Sequence, residues 1–163
     1  MKRIAKFEKV SEAQFLKDFE DVCAKEVYDG IKMPKRATSG SAGYDFYAPF
    51  DISLKPGQTV KIPTGIRVKI DDGWVLKIYP RSGLGFKYRL QLNNTVGIID
   101  SDYYNSDNEG HIFIKITNDS NEDKFFSVKA GEGFAQGIFV EYGITVDDEA
   151  DGVRNGGFGS TTK

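Results

Sequence analysis

Between residues 31 and 146 apolar side chains recur at every second position, and this period of two is what most constrains the fold of the chain. Ile66, Val68 and Ile70 alternate with Arg67 and Lys69. Trp74, Leu76 and Ile78 alternate in the same way, and Ile112, Ile114 and Ile116 alternate with Phe113, Lys115 and Thr117. Successive side chains of a strand point to opposite faces, so such runs predict strands with one buried face. Lys55-Pro-Gly, Asp71-Asp-Gly and Ala130-Gly-Glu-Gly separate them, and proline and glycine there supply turns. Many short strands with regular turns predict a mainly β sandwich, jelly roll or barrel. The absence of strand–helix alternation speaks against a doubly wound α/β sheet.

The flanks read differently. Residues 1–30 are predicted as a helical N-terminal extension. Ser11 can cap a helix, and Gln14 stands three residues later, as in a capping box. Phe15, Leu16, Phe19, Val22 and Cys23 follow at helical spacing and predict one apolar face, with Cys23 buried as a small hydrophobe. Residues 147–163 begin with an acidic run and continue as Arg154-Asn-Gly-Gly-Phe-Gly-Ser-Thr-Thr-Lys. Such a stretch cannot bury enough apolar area to order itself, so it predicts a flexible arm. It is either a frayed end or an arm that closes over an anionic, ring-bearing ligand. One domain spanning 1–163 is expected, with 31–146 as its β core.

Charge and cysteine content narrow the chemistry. Twenty-two Lys+Arg against 24 Asp+Glu give a net charge of −2, which disfavours bulk binding to nucleic acid. No run of 18 apolar residues suggests a membrane span, and the charged first residues do not read as a signal peptide. One Cys and one His cannot make an intrachain disulfide framework or an ordinary Cys/His zinc site. His111 has no matching nucleophile, so a triad is not expected. A cytoplasmic protein is predicted. Eighteen glycines are unusually many, and they cluster in a few segments.

Five segments carry the candidate chemistry. Ala42-Gly-Tyr-Asp-Phe-Tyr-Ala places Asp45 within an apolar strand, where a carboxylate needs a partner; a satisfied structural Asp fits equally. Pro80-Arg-Ser-Gly-Leu-Gly joins a forked cation, Arg81, to a hydroxyl, Ser82, and to glycines such as Gly83 that admit a ligand close to the backbone. Asn94-Thr-Val-Gly-Ile-Ile-Asp-Ser-Asp-Tyr runs an apolar strand into Asp100, Asp102 and Tyr103. A carboxylate at a strand end can activate water, Asn94 offers a donor and an acceptor together, and the pair of acids can equally be an ordinary acidic turn. Gly131-Glu-Gly-Phe-Ala-Gln-Gly-Ile-Phe sets Gln136 in an apolar strand, as a structural hydrogen bonder or a ligand contact. The fifth segment is the arm, Arg154–Thr161. Phe125-Phe126 is expected in the core or an interface.

Taken in order, these five segments resemble the five motifs of the trimeric dUTPase family, over residues 42–161. The resemblance implies a jelly-roll-like β-subunit, a homotrimer with active sites at subunit interfaces, and Mg2+-dependent hydrolysis of dUTP to dUMP and pyrophosphate. It implies that Asp100 activates the water that attacks the α-phosphorus. Asn94, with the backbone of Ile98, Ile99 and Phe113, would read uracil, and Tyr103 would lie under the deoxyribose and exclude a 2′-hydroxyl. Arg81, Ser82, Gly83 and Gln136 would hold the phosphates, and Arg154 would neutralise the γ-phosphate. Phe158 would cover the uracil, while Gly159, Ser160 and Thr161 would add donors. Asp45 would organise the metal-bound waters, with Mg2+ held by phosphates and waters and not by the protein directly. The polar stretch Tyr104–Gly110 is longer than the family's usual turn. Two other readings compete. A dCTP deaminase, alone or bifunctional, needs a catalytic Glu, for which Glu109 and Glu122 are the nearby candidates. A non-enzymatic β jelly-roll binding module would have no use for Arg154 and Phe158 in an arm.

Overall fold

The computed structural model of the chain describes residues 1–157. In chain order the elements are β1 (Ala5–Lys9), α1 (Glu12–Asp18), α2 (Ala24–Gly30), β2 (Tyr44–Tyr47), β3 (Ile52–Leu54), β4 (Thr59–Pro63), β5 (Ile66–Ile70) and β6 (Trp74–Pro80). There follow α3 (Ser82–Tyr88), β7 (Leu90–Leu92), β8 (Gly97–Ile99), a 3-10 turn (Ser101–Asn105), β9 (Phe113–Asn118), β10 (Phe126–Val128) and β11 (Gly133–Glu141). The described strands pair antiparallel in four small sheets: β1-β5, β10-β3, β4-β9-β7 and β2-β11-β6-β8. This is a mainly β, jelly-roll-like architecture.

The period of two does what it predicts. In β5, Ile66, Val68 and Ile70 are buried while Arg67 and Lys69 face away from the core. In β9, Ile114 and Ile116 are buried, and Phe113, Lys115 and Thr117 lie on the other face. The inward rows meet Phe46, Leu76, Ile78, Phe126 and Phe134, all at most 1 % exposed, in one core. Phe126 belongs to that core, whereas Phe125 is exposed.

The N-terminal thirty residues depart from a simple helical extension. Ala5–Lys9 is a strand, paired with β5 from Ala5↔Ile70 to Lys9↔Ile66. Phe7 explains it: its ring packs 5.3–5.8 Å from Tyr44, Phe46 and Phe139, and the pairing satisfies the otherwise open edge of β5. The helix then comes in two pieces. Ser11 caps α1, its hydroxyl accepting from Gln14 N–H at 3.1 Å. The returning half of the capping box does not come from Gln14, whose amide donates to Asp18. It comes from Glu109, whose carboxylate accepts from Ser11 N–H and Oγ, each at 2.7 Å. Because α1 stops at Asp18, the helical phase is lost: Phe15 is buried and Phe19 stacks on Phe50, but Val22 and Cys23 are exposed. The expected burial of Cys23 is therefore corrected.

Helix α3 follows directly on β6. Residues 82–88 are helical although Gly83 and Gly85 lower their helical propensity. Its first turn closes when Leu84 and Gly85 N–H donate to the Arg81 carbonyl at 3.1 and 2.9 Å. Its exit is a left-handed residue, Arg89 (φ 50°), whose side chain donates to Asp119.

Candidate functional site

Strand β8 ends at Ile99, and the chain leaves it through Asp100 into the 3-10 turn. This geometry opens a cavity of about 450 Å3 between β8, the start of β9 and the turn at Asn93–Asn94. Asn94, Ile98, Ile99, Asp100, Tyr103, Phe113 and Arg154 all line it. Seven of the residues singled out in the sequence are thus gathered at one place, of a size suited to a small organic ligand. Lys61 and Lys115 line the same wall, and Lys61 Nζ lies 4.2 Å from the Phe113 ring centroid.

Arg154 closes one side of the mouth. Its Nη2 donates to Asp100 Oδ2 at 2.6 Å and its Nε donates to Asp102 Oδ1 at 2.7 Å. The guanidinium is mostly covered (side chain 18 % exposed), while the two carboxylates stay about half exposed. Solvent screening therefore limits each pair to roughly 0–1 kcal/mol. Asn155 accepts from Asp107 N–H through its carbonyl. Gly157 lies over Tyr103 so closely that a Cβ there would stand 2.7 Å from Tyr103 Cε2. The described part of the arm thus crosses the cavity of its own chain.

Tyr103 forms the floor. Its hydroxyl donates to the His111 carbonyl at 2.8 Å and accepts from Asn108 Nδ2 at 2.9 Å, and burial raises its phenol pKa. The polar stretch after it is a built loop. Gly110 (φ +72°) turns so tightly that a Cβ would meet the Tyr103 carbonyl and Tyr104 Cα at 2.7 Å. Tyr104 donates from its hydroxyl to Glu8, accepts from Arg67 Nη2 through its carbonyl, and lies with its ring 3.6 Å below that guanidinium.

The remaining predicted residues occupy another place. Arg81, Ser82 and Gln136 line a more open depression of about 540 Å3 with Tyr79, Phe86 and Ile138. The sheet register assembles it: Gln136 on β11 stands opposite Asp45 on one side and Tyr79 on the other. Asp45 Oδ1 pairs with Arg81 Nε at 3.1 Å, Arg81 Nη1 donates to the Gly133 carbonyl at 3.2 Å, and Gln136 Nε2 donates to the Pro80 carbonyl at 3.1 Å. Gly83 is exposed in the first turn of α3. Ile78 lines the first cavity and its neighbour Tyr79 lines the second, and adjacent residues of a strand face opposite sides of a sheet. The chain therefore divides the predicted set over two faces and does not unite it. Phe158, Gly159, Ser160 and Thr161 lie outside the described residues.

Two contributors escaped the sequence reading. His111, set aside there as a lone histidine, is fully buried beside the cavity; Asn108 lay unremarked in a polar loop. Nothing in periodicity or spacing marks either one. Glu109 and Glu122, the candidates for a deaminase base, have other partners: Glu109 holds the α1 cap and Glu122 pairs with Lys124. The Ser11 N–H beside Glu109 holds its carboxyl below the usual range. Among the described residues no three His, Cys, Asp or Glu side chains converge as a metal-binding group.

Comparison with known proteins agrees across sequence and structure. The dUTPase family model matches residues 29–162. A deoxyuridine 5′-triphosphate nucleotidohydrolase of Lactococcus lactis is 42% identical over 144 residues, covering 86% of this chain and 95% of that protein. The crystal structure of a Streptococcus mutans dUTPase matches with a TM-score of 0.66 and 34% identity, covering 87% of this chain and 98% of the other. A dUTPase of Staphylococcus bacteriophage 80alpha with dUPNHPP shares the fold at a TM-score of 0.67 and 22% identity, with 98% of each chain covered.

Proposed function

The chain belongs to the dUTPase family and is a dUTP nucleotidohydrolase, and we propose that its two lined faces are the two halves of one composite site. The observation that carries this reading is their separation. Asn94, Asp100 and Tyr103 share one cavity, whereas Arg81, Ser82 and Gln136 lie across the sheet. A nucleotide touching both sets needs a second copy of the chain, as in a homotrimer with sites between subunits.

Within that site the nucleoside end enters the cavity of about 450 Å3. Asn94 and the extended backbone at Ile98, Ile99 and Phe113 read the uracil edge, and a cytosine, with one donor and acceptor exchanged, is refused. Tyr103 lies under the deoxyribose and leaves no room for a 2′-hydroxyl. Arg81, Ser82, Gly83 and Gln136 of a neighbouring copy hold the phosphates, with Asp45 orienting Arg81 and bound waters. Mg2+ held by the triphosphate and waters would supply neutralisation of the phosphate charge. Arg154 leaves its carboxylates for the terminal phosphate as Phe158 covers the base and Gly159, Ser160 and Thr161 add donors.

Asp100, freed of Arg154, accepts a proton from the attacking water. The water oxygen bonds to the α-phosphorus, the bridging bond to the β-phosphate breaks in line, and dUMP and pyrophosphate result. Phosphoryl transfer of this kind depends on positioning and charge compensation more than on covalent help from the protein. Loss of one phosphate-holding arginine costs on the order of a few kcal/mol of transition-state stabilisation.

A panel of dUTP, dCTP, dTTP and UTP tests the reading, with pyrophosphate and ammonia measured together and molecular mass determined in solution. Pyrophosphate from dUTP alone and the mass of three chains are expected. Ammonia from dCTP would make the protein a deaminase. The single cysteine fits a cytoplasmic setting, and among the described residues no helix is long and apolar enough to cross a membrane.

A further inference from the structure

His111 is 0 % exposed and touches the nucleoside cavity twice without lining it. Its ring packs against Phe113 with centroids 4.4 Å apart, and its carbonyl accepts the Tyr103 hydroxyl at 2.8 Å. The imidazole is fixed at both nitrogens. Nε2 accepts from Gly65 N–H at 2.8 Å, so that nitrogen carries no proton. Nδ1 therefore bears the hydrogen and donates to Asp18 Oδ2 at 2.6 Å. Asp18 is the last residue of α1, and the same oxygen accepts from Gln14 Nε2 at 2.8 Å. A continuous path runs from α1 through Asp18 and His111 to Tyr103 and Phe113.

We propose that Asp18 and His111 are positioning residues for sugar selection, setting through the His111 carbonyl where the Tyr103 ring stands beneath the ribose. The proposal rests on the reading of Tyr103 as the residue that refuses a 2′-hydroxyl. It assigns a role to the N-terminal helix: α1 supplies the acceptor that fixes the His111 tautomer and ring plane. Tyr103 has two anchors, His111 O and Asn108 Nδ2, which together fix where the hydroxyl end of its ring stands. Loosening the His111 anchor lets the ring tilt away from the sugar. The extra room admits a ribonucleotide while the water, Asp100 and the α-phosphorus keep their geometry.

The test compares kcat and KM for dUTP and UTP in the wild-type protein, Asp18→Ala, Asp18→Ser and Asp18→Asn, below the melting temperature of each. An alanine has no acceptor and a serine hydroxyl is too short to reach His111, whereas an asparagine carbonyl accepts from Nδ1 as Asp18 does. Ala and Ser variants are expected to lose roughly tenfold of the preference for dUTP over UTP, mainly through a lower KM for UTP, and the Asn variant to keep it. Asn108→Ala, which removes the other anchor, is expected to shift the preference in the same direction. A Ser variant that melts lower yet keeps the wild-type dUTP:UTP preference overturns the proposal, even if Asp18→Ala is too unstable to assay. Wild-type protein that hydrolyses dUTP and UTP alike would instead strike the reading of Tyr103 on which the proposal rests.

Discussion

Arg154 Nη2 sits 2.6 Å from Asp100 Oδ2, so the carboxylate assigned to water activation is held by the arm's own cation. A guanidinium that donates to a carboxylate stabilises its charge and at the same time competes with a water for its lone pairs. In the proposed reading nucleotide binding draws Arg154 away, which leaves Asp100 Oδ2 open to the water. Asp100→Asn keeps the shape and an acceptor oxygen but cannot take a proton. Binding of a non-hydrolysable dUTP analogue within a few-fold of wild type is expected, with kcat lowered by about 10^2–10^4. Calorimetric titration and pyrophosphate release measure the two; normal turnover would remove Asp100 from the mechanism.

Asp102 is the second anchor, at 2.7 Å from Arg154 Nε. It is assigned no contact with substrate, so its pairing works against transfer of Arg154 to the phosphates. Asp102→Asn is expected to lower KM for dUTP by roughly two- to fivefold at low salt, the range of a partly exposed ion pair. The effect should fade as ionic strength rises. A higher KM would mean that Asp102 holds Arg154 in its working position.

The division of the predicted residues over two faces makes a complementation experiment decisive. Arg81→Ala and Asp100→Asn proteins are each expected to be nearly inactive. Unfolded together and refolded as mixed assemblies, they should regain activity, because some sites then pair an intact Asp100 from one copy with an intact Arg81 from another. A site confined to one chain would regain none. Deletion of residues 152–163 is a companion measurement: the melting temperature should move by less than about 3 °C while dUTP hydrolysis is lost, since the arm adds little to the core.

The buried imidazole gives stability a pH dependence of known sign. Burial lowers the His111 pKa from 6.5 and outweighs the opposing pull of Asp18. The unfolded chain thus binds a proton near pH 6.5 that the folded chain resists, so stability is full above about 6.5 and falls as pH drops below it. Gly65 N–H points the same way, since a protonated Nε2 would face a donor with a donor. Melting temperatures from pH 8 to pH 5 should show this slope in the wild-type protein and a shallower one in His111→Gln.

The segments that a sequence reveals best are those whose chemistry is local. Strands β5 and β9 declare themselves because alternation is a property of five or six consecutive residues. The cavity wall from Asn94 to Tyr103 was legible for the same reason, being one continuous stretch. Strand β1 was not, because its reason for being a strand is the distant edge of β5 and the aromatic contacts of Phe7. Helix α3 was hidden by two glycines that weaken helical propensity, which tertiary placement overrides. Division of the site between faces depends on the phase of β6, where Ile78 and Tyr79 look in opposite directions, and composition carries no trace of it. His111 is tied to Asp18 and Gly65 across the fold, and Asn108 meets Tyr103 inside an irregular loop, so neither leaves a periodic mark.

Glu109 completes the α1 cap from 98 residues away. A seven-residue helix is too short to persist by itself in water. During synthesis α1 must wait for the loop after Tyr103 to emerge, and only then do the two lock together. The earliest-made helix thereby takes its full cap from a loop made long after it, and its helicity reports whether that loop beside the nucleoside pocket is in place.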